Sequence, residues 1–179
     1  MKKIVSSENI KVWLYKSNSI RELLITNEEQ KLANNLSRYK SDQFKFSRSC
    51  IRDALSKLFN VNPLYIPLNA PPGVIPLLDE GWGHISLSHC KDAVLIAWSN
   101  DLIGIDIERN DRDFKYEKIF KRFFNDYDIK DYKELKSKEK MSKILELWIK
   151  KEAIFKYNSA YENHNSNDFR IKNKKSKLW

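Results

Sequence analysis

A chain of 179 residues, 41% hydrophobic and carrying 9 Phe, 8 Tyr and 5 Trp, suffices for one folded domain or two small halves sharing a core. With only 4 Gly and 5 Pro, no run near the ~20 apolar residues of a membrane span, and two cysteines (Cys50, Cys90) outside any CxxC pair, repeat, membrane and disulfide-framework classes are excluded. Lys plus Arg exceed Asp plus Glu by 33 to 24, a formal charge of +9 that suits nucleic acid, a phosphate-rich small molecule or an acidic protein, or simply a lysine-rich solvated surface.

The N-terminus, MKKIVSSENIKV, lacks the apolar region of a signal peptide, so the cytoplasm is the expected location. Residues 10–15, IKVWLY, predict a first strand. Thr26, with Glu29 three residues on, forms a capping box that opens a helix to about Ser37. Ser41 is the expected cap of a longer helix to about Phe59, where Phe44, Ile51, Leu55 and Leu58 recur at helical spacings. Arg38, Lys40, Lys45, Arg48 and Arg52 gather cations around it, as a solvated face or a phosphate site. Residues 63–83 hold all 5 prolines and predict a long loop or set of turns. Strands follow at His84–Ser88 and Ala93–Trp98, joined by Cys90-Lys91-Asp92. Helices first and a small antiparallel meander afterwards make an α+β pattern.

Asp101 turns the chain into Leu102–Glu108, LIGIDIE. Ile103, Ile105 and Ile107 point one way and Gly104, Asp106 and Glu108 the other, the period of a half-buried strand. Asp106 and Glu108 then lie roughly 6.6–6.8 Å apart and repel unless something positive sits between them. Gly104 leaves room for a ligand or a close backbone approach. Alone, the pattern equally describes a solvated outer face.

A short basic helix ending at Arg122-Phe123-Phe124 and an acidic helix over Asp126–Leu135 come next. Ser137 caps the strongest predicted helix, Lys138–Tyr157, with Met141, Ile144, Leu145, Trp148 and Phe155 as its buried stripe. Glu152 and Lys151 fall on that stripe, where each charge costs several kcal/mol unless compensated. Adjacent helical residues diverge by about 100° and pair poorly. Glu152 therefore calls for an external cation and Lys151 for an anion. A short strand, Asp168–Ile171, and a basic end, Lys172–Lys177, complete the chain.

Three carboxylates from a strand and a helix form an all-oxygen set suited to Mg²⁺, with Mn²⁺ an alternative. With lysines beside them, the natural chemistry is phosphoryl transfer, in which metal and cations neutralise developing charge. His89, at the end of HISLS, either holds another phosphate or is an ordinary strand-end residue. Zinc through His84, His89 and Cys90 matches no standard spacing.

The residues together resemble a known family. GIDIE at 104–108 and WIKKEAIFK at 148–156 are similar to the paired signature of 4′-phosphopantetheinyl transferases, of the surfactin- and enterobactin-synthetase-associated type. HISLSHC at 84–90 is similar to the family's Ser-His strand, RFF at 122–124 also matches, and FSRSCIRDAL at 46–55 resembles its first basic helix. The resemblance implies a 4′-phosphopantetheinyl transferase-like α+β fold of two similar halves, small antiparallel sheets packed with helices, here 1–100 and a shortened 101–179. It implies transfer of the phosphopantetheine arm of coenzyme A to a serine of an apo carrier protein, releasing adenosine 3′,5′-bisphosphate. Asp106, Glu108 and Glu152 would bind Mg²⁺ on the pyrophosphate, and Lys151 and Lys156 would contact that pyrophosphate and steady the leaving group. Ser88 and His89 would reach phosphates of coenzyme A, with Arg48 or a near neighbour on the 3′-phosphate. Glu152, or a water on the metal, would take the serine proton, making Glu152, Lys151 and Asp106 the catalytic set. The implied partner is an acidic acyl or peptidyl carrier protein of fatty-acid, polyketide or nonribosomal-peptide synthesis, with neither nucleic acid nor membrane.

The chain departs from the family pattern at three places. Asp128 stands where a fourth acid is often Glu, no lysine accompanies Gly73-Val74 ahead of the Ser-His strand, and 23 residues follow Lys156. A Mg²⁺-dependent nuclease, and a relative that binds coenzyme A or a carrier protein without turnover, are the alternatives that the same carboxylates allow.

Overall fold

A computed structural model describes residues 1–17, 19–20, 22–111 and 137–165. Strand β1 (Lys2–Ser6) and β2 (Ile10–Lys16) precede helices α1 (Asn27–Asn34) and α2 (Arg38–Phe59). A 3₁₀ turn (Pro63–Tyr65), β3 (Leu68–Asn69), β4 (Leu77–Leu78), β5 (His84–His89), β6 (Ala93–Ser99) and the long helix α3 (Ser137–Asn165) follow. The main sheet is antiparallel in the order β1-β2-β6-β5, and β3 pairs with β4 separately. The expected α+β class of small antiparallel sheets packed with helices is the observed one.

Strand alternation places the core. Trp13 and Tyr15 of β2, Ile85 of β5, and Val94, Ile96 and Trp98 of β6 pack on Cys50, Ile51, Ala54 and Leu55 of α2. Phe59, at the end of α2, meets Trp82 and Trp98 edge-on, with ring centroids 4.7 and 5.6 Å away. The other face of the sheet carries small residues, among them the buried Ser86, Ser88, Ala97 and Ser99. It is on this side that residues 102–109 lie.

The capping box is present in full: the Glu29 amide donates to Thr26 Oγ1 (3.2 Å) and the Thr26 amide to Glu29 Oε2 (2.8 Å). Helix α1 ends at Asn34, short of Ser37, because Ser37 is already the N-cap of α2. Ser41 is thus inside α2, its amide donating to the Ser37 carbonyl at 2.8 Å. Asn60, in the left-handed region at φ 55°, closes the helix. The hairpin partner β1 went unread in the sequence. Its strand is an exposed edge with lysines at Lys2 and Lys3, which hides the apolar signal of Ile4-Val5.

Two of the cations around α2 serve the fold. Arg52 is buried in a two-point ion pair with Glu29, both N···O distances 3.1 Å, and donates to the Pro63 and Ile66 carbonyls. Arg48 stacks 4.6 Å over the Phe44 ring and donates to the Ala70 carbonyl. Together they clamp the proline-rich segment onto α2, which is why residues 63–83 contain ordered elements and not only turns.

Helix α3 runs beyond both expected ends. Ile144 is fully buried and Met141, Leu145 and Trp148 are half-buried, but Phe155 is 56% exposed, a correction to the predicted stripe. The reason is the seat of the helix: its Ala153–Tyr157 turn rests on Gly104, so Phe155, about 200° round from Ala153, turns outward. The predicted elements at 122–124, 126–135 and 168–171, the basic end 172–177 and Asp128 lie outside the described residues.

Candidate functional site

The 102–109 segment is half-buried as expected, but it forms no ladder strand. It runs beside β5 with serine hydroxyls in place of carbonyl acceptors. The Ile105 amide donates to Ser86 Oγ (3.1 Å) and the Ile107 amide to Ser88 Oγ (3.2 Å). Ser86 and Ser88 are two apart on one face of β5, so they repeat at the spacing of alternate amides on the neighbouring segment. On its other side the segment meets α3. A Cβ at Gly104 would overlap the Ala153 carbonyl oxygen and stand 2.7 Å from the Tyr157 amide nitrogen. Of the two uses foreseen for Gly104, close backbone approach is the one realised.

That approach brings Asp106 and Lys156 together. Lys156 Nζ lies 2.7 Å from Asp106 Oδ1 and donates to the Ile105 carbonyl at 3.1 Å. Ser88 Oγ donates to the same Oδ1 at 2.6 Å. The Asp106 side chain is 7% exposed, and its Oδ2 is buried without a hydrogen-bond partner among the described residues. Glu152 sits one turn before Lys156, on the same side of α3. Burial first, and then the Asp106 carboxylate, hold the Glu152 carboxyl above its usual range; Lys156 opposes them and Glu108 adds to them. His89 still reaches solvent, yet partial desolvation and the Lys156 ammonium hold its imidazole below the usual value, against Asp106 and Glu108. Asp106, Glu108, Glu152, Lys156 and His89 thus share one electrostatic neighbourhood. Lys151, half-buried, precedes Glu152 on α3. As the side chains stand, no three His, Cys, Asp or Glu among the described residues form a closed set of metal ligands.

Beside this centre a cleft of about 470 Å³ opens between three pieces of chain. Tyr39 and Gln43 come from the start of α2, His89, Cys90 and Lys91 from the end of β5, and Glu108, Arg109 and Asp111 from the outgoing segment. Arg109 is held there by Asp111, with Nε 2.7 Å from Oδ1, and by Asp92 at 3.5 Å. Tyr39, Gln43 and Arg109 carried no sequence signal, because they reach the cleft from elements distant in the chain.

Two of the residues expected at phosphates, Ser88 and Arg48, are buried and hydrogen-bonded within the protein. Ser88 is 4% exposed, accepts from the Ile107 amide and donates its one proton to Asp106. Arg48 is also 4% exposed, and burial draws its guanidinium down to about 10 while Nε and Nη2 serve the Ala70 carbonyl. His84, Cys90 and His89 form no zinc cluster among the described residues.

These features define an α+β protein whose helix α3 brings Glu152 and Lys156 to a carboxylate-bearing segment at the edge of a cleft. Residues 102–176, which contain that segment and α3, match the family model of the 4′-phosphopantetheinyl transferase superfamily. The match bears out the superfamily read from GIDIE and WIKKEAIFK, and it supports a transferase role. No curated protein matches the chain. No helix among the described residues is long and apolar enough to cross a membrane.

Proposed function

We propose that the chain moves the 4′-phosphopantetheine arm of coenzyme A onto a serine of an apo carrier protein, in the cytoplasm and with Mg²⁺ or Mn²⁺. The carrying observation is the junction of Asp106, Glu152 and Lys156 beside a cleft lined by His89 and Glu108, in the region that matches the superfamily. The proposed halves, 1–100 and 101–179, would both contribute to the cleft, the first through Tyr39 and His89 and the second through Glu108.

The donors fit a hard divalent ion: Asp106 offers a buried oxygen without a partner among the described residues, and Glu108 and Glu152 are the carboxylates near it. These three residues would hold the ion, which supplies charge neutralisation at the pyrophosphate. The cleft takes coenzyme A, with His89 and the half-buried Lys151 and Lys156 meeting its phosphates. A near neighbour of Arg48 on α2, such as Lys45 at the half-buried start of the helix, meets the 3′-phosphate. Glu152, with its carboxyl held high, accepts the serine proton as the serine oxygen bonds to the phosphorus of the arm. The pyrophosphate P–O bond breaks, and Lys151 and Lys156 stabilise the departing adenosine 3′,5′-bisphosphate. A formal charge of +9 complements an acidic carrier.

Incubation with coenzyme A, Mg²⁺ and a panel of apo acyl and peptidyl carrier proteins tests the reading. A gain of one phosphopantetheine mass on a carrier serine is expected. No gain on any carrier by the folded chain counts against transfer. Coenzyme A binding without transfer identifies a non-catalytic relative, and metal-dependent cleavage of nucleic acid identifies a nuclease.

A further inference from the structure

Ser88 is the residue whose geometry asks for a role of its own. Its hydroxyl accepts the Ile107 amide at 3.2 Å, so its single proton is directed away from that amide, and it lies 2.6 Å from Asp106 Oδ1. Lys156 approaches the same oxygen at 2.7 Å. Among the described residues two donors therefore converge on Oδ1 and none on Oδ2, which is buried. The flanking amides of Ile105 and Ile107 are pinned to Ser86 and Ser88, so the backbone on both sides of Asp106 is held as well. A short side chain fixed at its backbone and at one carboxylate oxygen has little freedom left, and its second oxygen faces one way.

We infer that Ser88 is a positioning residue for Asp106: it saturates Oδ1 together with Lys156 and thereby reserves Oδ2 for a divalent cation. This rests on the metal-dependent reading above. Ser86 anchors the same segment through the Ile105 amide, whereas the serine hydroxyl that donates to the Asp106 carboxylate is that of Ser88. Both serines anchor the segment, and Ser88 alone of the two also orients the acid. Outer-shell partners of metal-binding carboxylates are worth about 10–100-fold in metal affinity.

The test is direct titration of Mn²⁺ into the full chain, with free Mn²⁺ followed by electron paramagnetic resonance. Ser88→Ala is expected to weaken binding about 10–100-fold. Ser88→Thr, which keeps the hydroxyl, should restore it to within about threefold, and Ser86→Ala should bind as wild type does while unfolding at lower temperature. Ser88→Cys, close in size but a poor donor, gives the same weakening and decides the matter if the alanine variant fails to fold. Wild-type affinity in folded Ser88→Ala or Ser88→Cys overturns the positioning role, as does equal weakening in Ser86→Ala. Absence of Mn²⁺ binding by the wild-type chain overturns the metal-dependent reading itself, and this inference with it.

Discussion

Asp106 and Glu152 hold opposite positions at one small centre. Asp106 has two donors on one oxygen, whereas Glu152 is half-buried near like charges and has its proton affinity raised. A carboxyl whose folded-state pKa lies above its unfolded value binds protons more tightly when folded, so stability falls as pH rises from the unfolded value through the folded one. Where it is ionised, the Glu152 carboxylate therefore costs stability. Glu152→Gln should raise the melting temperature while abolishing transfer. The gain should shrink as pH is lowered toward 4.5, the ordinary value, and thermal melts across pH check it. A melting temperature that Glu152→Gln lowers at pH 7 would refute the strain assigned to this residue.

Between elements, the decisive contact is α3 on the 102–109 segment. A glycine at 104 lets two backbones touch, and every residue with a Cβ would drive the helix away. Gly104→Ala is expected to destabilise the chain by about 1–3 kcal/mol, or more if α3 cannot shift, as read by urea unfolding. Because the displaced turn carries Lys156, the same variant should also weaken the proposed binding of coenzyme A. Activity and stability within error of wild type would show that α3 does not seat on Gly104. The serine-for-carbonyl substitution along β5 belongs to this scale too. A pair of hydroxyls at Ser86 and Ser88 does the work of a strand ladder and leaves the segment free to present Asp106.

For the whole molecule, the sheet separates two tasks. One face is occupied by α2 and the apolar core, the other by the small residues against which the acidic segment lies. The cleft then falls where α2, the end of β5 and residues 108–111 meet, so ligand binding ties together elements far apart in sequence. Coenzyme A with Mg²⁺ should therefore raise the melting temperature of the whole chain, by the equivalent of about 2.7 kcal/mol at a hundred times the dissociation constant. A smaller shift with coenzyme A alone is expected. Equal shifts with and without Mg²⁺ would argue against a metal at the site.

Local signals were sufficient for the capping box at Thr26 and Glu29, the paired strands β5 and β6, the end of α2 at Phe59 and the superfamily motifs. Each depends on neighbours a few residues away or on alternation along one strand, so each is written in the chain itself. Tertiary structure alone decided the rest. The LIGIDIE alternation is genuine, but whether its amides meet carbonyls or hydroxyls depends on what β5 presents. Arg48 and Ser88 have residue types fit for phosphate, yet burial beside Ala70 and Asp106 commits their donors within the protein. Phe155 has the spacing of a core residue and faces outward, because Gly104 sets which side of α3 lies against the segment. Periodicity along a chain says that a face exists; the partner that covers it is chosen by contacts between residues far apart in sequence.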